Sequence, residues 1–448
     1  MIAGRTFLRR IAVIGIGWIA FSLAVHPAAA QTTPVLSVNA GHSLGKINPF
    51  VYGVNYGPWS FLTPDLIPLA QASGVSYLRF PAGNWGDQND LMPFDIDLFM
   101  DLAHKLKAEP SISVRLSGGT PKAAAELVRY ANIQSHYGVR YWSIGNEPDL
   151  YDNYSVDQYN RDWRAFATAM LAVDPTIRFV GPDISQYAPP QMTDSYSQVR
   201  RDWVGTFLKV NGDLVSVVSV HRYPFPKKVD DPPATIAQLK DSASEWDSII
   251  PDIRKTIVAT TGRDLPIAVT EVNSHWNIGI GGATTPDSFY HAIWWADVLG
   301  RMIRQRVAIV AYFTLNTSGT LGTYGLLSAY DARPTYYVYS LYQKFGSQLV
   351  ESLSSDPDVT VTAATRSDGD LTLMIVNSAA AARSLTFGLS GFSATAQTEL
   401  WRFDVDHNAA RIGTTSELTT GTVTLPAQSI SLYITSGAPS AAATSPSF

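Results

Sequence analysis

Cysteine is absent from the 448 residues, which removes disulfides, thiolate metal sites and thiol nucleophiles together. Charge is sparse: Asp, Glu, Lys and Arg make up 16% of the chain and the formal net charge is -5. No basic run follows the first ten residues, so nucleic acid is excluded as the main partner. No G-x-G-x-x-G turn follows a strand-like run, and neither a P-loop nor a G-x-S-x-G elbow occurs. The eight His never form H-E-x-x-H. With no cysteine to supplement them, a catalytic zinc is not expected, and neither is any other cofactor. Internal repeats at solenoid or propeller spacing are also missing.

What is present is apolar and aromatic. Hydrophobic residues reach 46%, with 11 Trp and 21 Tyr, enough for a large core in two or three domains. Residues 1–30 read as an export signal. Arg5, Arg9 and Arg10 form a positive start, residues 11–25 are apolar but short for a bilayer, and Ala28-Ala29-Ala30 offers a cleavage site before Gln31. The expectation is an exported (periplasmic or extracellular) protein with no stable membrane insertion after cleavage; an uncleaved anchor helix is the alternative. No feature assigns an oligomeric state.

After the signal, short β-branched runs alternate with helical patterns. Strands are expected at residues 50–55, 75–80, 111–116, 139–144, 177–181, 214–221, 266–271 and 307–313, as continuous apolar runs suited to a parallel sheet buried on both faces. Between them, 120–136 reads as a helix capped by Thr120 with Pro121 in its first turn, and 287–304 as another. Eight such units predict a (β/α)8 barrel over 47–342, with a doubly wound open sheet as the alternative. Polar residues gather at the strand ends: Asn55, Arg79, Asn146, Glu147, Asp183, His221, Tyr223 and Glu271. From about residue 343 the pattern becomes period two, with strands expected at 359–363, 371–377, 384–389, 398–403, 421–425 and 429–434, an antiparallel β-sandwich over 343–436. Residues 31–46, alternating at 35–39, are expected to add a strand to it, and 437–448 to form a flexible tail.

Two strand ends carry the chemistry. Trp142-Ser143-Ile144-Gly145-Asn146-Glu147-Pro148-Asp149 is an apolar run that ends on an amide and a carboxylate, with Pro148 preventing its continuation. Ile267-Ala268-Val269-Thr270-Glu271 is a second run ending on a glutamate. A charge placed there is costly without a purpose. Cleavage of a glycosidic bond with retention needs two carboxyl groups about 5–5.5 Å apart, one to protonate the leaving oxygen and one to attack the anomeric carbon. Trp59, Trp85, Tyr187 and Trp276, in loops just past strand ends, are candidate sugar platforms.

Asn146-Glu147-Pro148 followed later by Thr270-Glu271 resembles the retaining (β/α)8 glycoside hydrolases of clan A over residues 45 to 345. Gly145-Asn146-Glu147-Pro148-Asp149-Leu150-Tyr151 is similar to family 79, and Thr270-Glu271-Val272-Asn273-Ser274 to families 39 and 79. Ile47-Asn48-Pro49-Phe50-Val51-Tyr52-Gly53 and Leu78-Arg79-Phe80-Pro81-Ala82-Gly83-Asn84 look like families 51 and 44. The resemblance implies Glu147 as general acid/base, Glu271 as nucleophile, and Asn146 on the sugar 2-hydroxyl. It further implies Arg79 beside Glu271, Tyr223 bonded to Glu271, and His221 orienting the site. In family 79 a Tyr holds a uronic carboxylate, which implies that role for Tyr324. The clan's frequent Trp at the last strand end is missing, since Tyr312-Phe313-Thr314-Leu315-Asn316 stands there.

The expected function is a retaining O-glycosyl hydrolase acting on a β-linked glycoside, glucuronide or polysaccharide, with an oligo- or polysaccharide as its partner. A non-catalytic carbohydrate-binding protein on the same scaffold, or a transglycosidase using the same residues, are the alternatives.

Overall fold

The computed structural model describes Met1 and residues 35–228, 231–277, 281–317 and 323–438. Residues 2–30 of the expected signal and 439–448 of the expected tail lie outside the described residues. No helix among the described residues is long and apolar enough to cross a membrane.

Eight parallel strands close into a barrel: β2 (Gly53–Asn55), β3 (Tyr77–Phe80), β4 (Glu109–Val114), β5 (Tyr141–Ile144), β6 (Arg178–Ile184), β7 (Val215–Arg222), β8 (Ile267–Val272) and β9 (Ile309–Tyr312). Closure through β2–β9 pairing excludes the open doubly wound sheet. Alternation explains the unbroken apolar runs. Tyr77, Val217, Ala268 and Ile309 fill the barrel interior, while their neighbours Leu78, Val218, Val269 and Val310 face the outer helices. Arg79 continues the inward row of Tyr77 to the strand's C-terminal end, where the barrel interior opens into loops.

The expected helix at 120–136 is an α-helix over Pro121–Val128 that continues as a π-helix over Arg129–Gln134. Thr120 caps it by accepting from the Ala123 amide at 3.1 Å. The helix Phe289–Arg304 starts at the Ser288 cap and is buried along most of its length between barrel and C-terminal sheet.

That sheet is one nine-stranded, mostly antiparallel layer. Its strands are β1 (Leu36–Lys46), β10 (Gln348–Ser354), β11 (Val359–Thr365), β12 (Leu371–Asn377), β13 (Arg383–Ser390), β15 (Thr398–Phe403), β16 (Ala410–Thr415), β17 (Thr422–Leu425) and β18 (Ser429–Thr435), in the order β16-β15-β18-β12-β11-β10-β1-β13-β17. The small pair β14 (Ser393–Ala394) and β19 (Gly437–Ala438) stands apart. β1 sits between β10 and β13, antiparallel to the first and parallel to the second. β12 shows why its sequence reads as wholly apolar. Leu371, Leu373 and Ile375 enter the sheet's own curled core, whereas Met374 and Val376 pack toward the barrel. Stacking of Phe289 on Phe403 at 5.2 Å and the bond from Arg304 Nη1 to Thr362 Oγ1 at 2.7 Å fix the two layers together. Ile375→Ala is expected to cost about 2–5 kcal/mol, read as a lower midpoint in denaturant titration.

Candidate active site

The turn after β5 places the first carboxylate. Gly145 adopts φ +81°, and a Cβ there would collide with Leu116 at 2.9 Å, so only glycine fits. Glu147 itself is left-handed at φ 48°, ψ 53°, a conformation that costs a side-chain-bearing residue on the order of 1–2 kcal/mol. It is held by its amide on the Asp183 carbonyl at 3.1 Å and by the Leu150 amide on its own carbonyl at 2.9 Å. The second carboxylate comes from β8. The β7–β8 register shifts between the Val220–Val269 pair and the His221–Glu271 pair. This irregularity turns Glu271 into the barrel mouth, where strict alternation from outward-facing Val269 would have turned it away.

A carboxylate oxygen of Glu147, one of Glu271 and a ring nitrogen of His221 all lie within 4.8 Å of one another. That separation suits a retaining pair at about 5–5.5 Å and is too short for the water that an inverting pair accommodates at about 6.5–9.5 Å.

The environments of the two glutamates differ in sign. Glu271 Oε1 accepts from Arg79 Nη1 at 2.8 Å and from the Gly83 amide at 3.0 Å, and Oε2 accepts from the Tyr223 hydroxyl at 2.8 Å. Burial alone raises its pKa, but His221, Arg79 and the Tyr223 bond outweigh it and hold the carboxyl below the usual range. Among the described residues the Glu147 side chain is bonded to His221 Nδ1 at 3.0 Å. Burial pushes its pKa up, Glu271 and Asp149 add to this, and His221 opposes without prevailing. The two carboxyls are therefore driven apart, Glu271 toward the charged form and Glu147 toward the neutral one. Tyr223→Phe removes a hydrogen bond made to the charged form of Glu271. We expect kcat/KM to fall about 10–100-fold and the acid limb of its pH profile to move upward, because Glu271 then protonates at higher pH.

Arg79 is 1% exposed and ties the site together. Nη1 also reaches Asn55 Oδ1 at 3.1 Å, and Nη2 reaches Asn146 Oδ1 at 2.9 Å and Asp183 Oδ2 at 3.2 Å. Asn55 is fully buried and gives its amide to the carbonyls of Ala311 at 2.8 Å and Thr270 at 3.0 Å. Its place is thus beneath Arg79, away from any substrate. These donors and Arg79's charge also oppose a cation at the Glu147–His221–Glu271 trio, although its spacing alone would admit one.

Two carboxylates without an expected role complete the frame. Asp183 takes Arg79, the Thr270 hydroxyl at 2.6 Å and, through its amide, Ser219 Oγ at 3.0 Å. Burial raises its pKa, but Arg79 and His221 draw it below the ordinary value. Asp87 receives the amides of Leu116 at 2.8 Å and Asn146 at 2.7 Å together with the Tyr151 hydroxyl, joining the ends of three strands.

Two cavities flank the carboxylates. One of about 840 Å³ is lined by both glutamates, Tyr223, Trp276, Phe313 and Tyr324. The other, about 730 Å³, reaches Glu147 but is lined elsewhere by polar groups including Asp87, Ser117, Asp152, Gln158 and Asp162. Asn84, Glu147 and Leu150 belong to both. Trp276 is 39% exposed and fixed by its indole N–H on the Pro226 carbonyl at 2.6 Å.

The other aromatic candidates fare differently. Tyr187 is not a platform: it is 0% exposed and its hydroxyl is bonded to Asp252 at 2.8 Å. Trp85 rests partly buried against the barrel core and lines neither of these two cavities. Trp59 stacks on Phe313 at 6.2 Å and lies flat over Gly57, where any Cβ would strike its ring. Tyr324 lines the larger cavity, but its hydroxyl donates to the His275 carbonyl at 2.9 Å. It therefore has no proton to give a uronic carboxylate. Phe313 stands at the end of β9 and enters the same wall, edge-on to Tyr223 and Tyr324.

No protein-family model matches the chain. An intracellular exo-α-(1→5)-L-arabinofuranosidase of Streptomyces lividans is 25% identical over 238 residues, 44% of this chain and 34% of the relative. A probable α-L-arabinofuranosidase C of Aspergillus fumigatus is 23% identical over 209 residues, 34% of this chain and 41% of the relative. The matches thus span well under half of these relatives' lengths. Among solved structures, the family 51 α-L-arabinofuranosidase of Thermotoga petrophila superposes with TM-score 0.70 at 18% identity, covering 90% of this chain and all of that one. A family 44 xyloglucanase of Paenibacillus polymyxa gives 0.68 at 16%, covering 90% and 99%. The chain is related to the clan A (β/α)8 glycoside hydrolases. Within that clan the sequence matches fall on arabinofuranosidases, and the fold is shared with xyloglucan-cleaving members.

Proposed function

We propose that the protein is a retaining glycoside hydrolase that works by double displacement, with Glu271 as nucleophile and Glu147 as general acid/base. The observation that carries this reading is the pair of carboxyls within 4.8 Å, Glu271 buried and Glu147 partly exposed, whose surroundings drive their proton affinities apart. Glu271 attacks the anomeric carbon while Glu147 gives its proton to the leaving oxygen. Esterification then removes the negative charge of Glu271, the proton affinity of Glu147 falls, and Glu147 draws a proton from the incoming water. In this reading Asn146, whose Oδ1 is bonded by Arg79 and whose amide gives one hydrogen to Asn84, gives its other amide hydrogen to the sugar 2-hydroxyl, a contact that tightens as positive charge grows on the ring.

The substrate class is a 1,2-trans glycoside. The α-L-arabinofuranosides named for the relatives and β-linked xylosides and glucosides share that relation between leaving group and 2-hydroxyl. One attacking carboxylate geometry serves both. The commitment of Tyr324 to His275 weighs against a glucuronide. Aryl α-L-arabinofuranoside, β-xyloside, β-glucoside and β-glucuronide should be assayed together, and early-time NMR on the substrate cleaved should give a product of unchanged anomeric configuration. An inverted product would overturn the mechanism.

Export is part of the proposal and rests on Arg5, Arg9, Arg10 and the Ala28-Ala29-Ala30 site. N-terminal sequencing of protein recovered from the periplasm or medium should begin at Gln31. Recovery only of chains that retain residues 1–30 would reject it.

A further inference from the structure

The wall of the larger cavity on the Glu147 side presents exposed apolar side chains among polar ones, an arrangement the reaction itself does not need. Leu150, Met192 and Tyr196 line it. Leu150 is 49% and Tyr196 54% exposed, so two large apolar side chains face water in the cavity that holds the proton donor, set among the polar Ser185, Gln186, Asp194 and Ser197, an amphipathic lining that calls for an occupant.

Tyr196 is also held in a fixed plane. The Arg200 guanidinium lies 3.1 Å from its ring centroid and is itself buried at 4% exposure. Arg200 is paired with Asp149 at 3.2 Å and bonded to Ser185 Oγ at 3.0 Å. Asp149 in turn accepts from the Ser185 amide at 2.9 Å and hydroxyl at 2.6 Å. Asp149 and Leu150 belong to the turn Pro148–Leu150 that follows Glu147 directly. The ring is thus tied through Arg200 and Asp149 to the short segment that follows the proton donor, with one face covered by a neutralised cation and about half of the residue open to solvent.

The side matters. Glu147 protonates the leaving oxygen, so whatever departs must lie against Glu147. Trp276, Phe313 and Tyr324 reach the cavity from β8 and β9, the nucleophile's side. Leu150 and Met192 reach it from the segments after β5 and β6, and Tyr196 from the start of the helix Ser195–Asn211, the donor's side. We propose that Leu150, Met192 and Tyr196 form the leaving-group subsite and that it takes a pyranose ring by its C–H face. The bond preferred by the enzyme is then one whose departing half is a pyranose of an oligo- or polysaccharide. This assignment rests on the proposed roles of Glu147 and Glu271.

Calorimetric titration of the otherwise unaltered Glu271→Ala protein with xylohexaose and with cellohexaose reads the subsite without turnover. Binding of at least one is expected. Adding Tyr196→Ala should weaken it about tenfold, whereas Tyr196→Phe, which keeps the ring, should leave affinity within about twofold. Leu150→Ala, remote from the guanidinium, should also weaken binding and covers the case in which Tyr196→Ala does not fold. Absence of binding to either hexasaccharide, undiminished affinity in both alanine variants, or equal loss in Tyr196→Phe would each overturn the subsite. Binding with the expected losses, but no hydrolysis of any glycoside by the unmutated enzyme, would instead overturn the proposed reaction and leave a pyranose-binding surface.

Discussion

Glu271→Ala is expected to lower turnover by on the order of 10⁴-fold or more. In the proposed mechanism this carboxylate supplies the oxygen that bonds the anomeric carbon, and among the described residues no other carboxylate shares its bonds to the Gly83 amide and the Tyr223 hydroxyl. Glu147, across the site, is bonded to His221, and burial and Glu271 itself raise its pKa. Removing Glu271 also strips Arg79 of one anion, but Asp183, Asn146 and Asn55 keep the guanidinium bonded. The variant should therefore fold, and an unchanged circular dichroism spectrum checks that. Glu271→Gln, which preserves shape while removing charge, should be equally inactive. Added azide can occupy the vacated space and attack from the same face as the lost carboxylate, which gives a glycosyl azide of inverted configuration. Full activity in either variant removes Glu271 from the reaction.

What the sequence disclosed and what it withheld follow from the range of the interactions involved. Barrel strands were legible because burial on both faces writes an unbroken apolar run. Expected and observed bounds differ by a few residues at most, as for 266–271 against Ile267–Val272. Leu371–Asn377 was legible for the same reason, with one face to the sheet's core and one to the barrel. Strands Gln348–Ser354 and Ala410–Thr415 were not. The first mixes Gln, Glu and Ser into its run, and the second is an edge strand with largely solvated side chains, so neither leaves an apolar signature. The helix expected to run on to 136 keeps its start, where Thr120 and Pro121 are local signals, but changes to a π-helix at Arg129 with no local cue.

The site divides in the same way. Glu147 and Glu271 stand out because a charge closes an apolar strand, and the structure brings them together. Asp183 showed as a strand-end polar residue without a legible role, and Asp87 gave no signal. Their partners, Arg79 and Thr270 for the one and Asn146 and Tyr151 for the other, lie up to 104 residues away and converge only when the barrel closes. Tyr187 reads like a loop aromatic until the helix Trp246–Thr261 brings Asp252 to its hydroxyl. Tyr196 is the converse: a tyrosine near a helix start, made into a fixed exposed plane by a guanidinium four residues on.

Glu147→Ala should produce a loss that depends on the leaving group, and this dependence separates a proton donor from a merely supportive residue. For a poor leaving group, which cannot depart without a proton, turnover should fall about 10²–10⁴-fold. For a nitrophenolate, which departs unaided, the first step should persist and the glycosyl-enzyme accumulate, because water then lacks its base. Azide needs no base. It should restore turnover on the nitrophenyl substrate and yield a glycosyl azide of retained configuration, the opposite outcome to Glu271→Ala. The pH profile gives the second signature. Activity requires Glu271 ionised and Glu147 protonated, and Glu147 is held above the usual carboxyl range chiefly by burial, with Glu271 and Asp149 adding to it. The alkaline limb of kcat/KM therefore belongs to Glu147 and should flatten in Glu147→Ala, while the acid limb set by Glu271 survives. An alkaline limb that stays in place would assign that proton to another group, with His221, whose own pKa is raised against its burial by Glu271 and Glu147, the first to be tested.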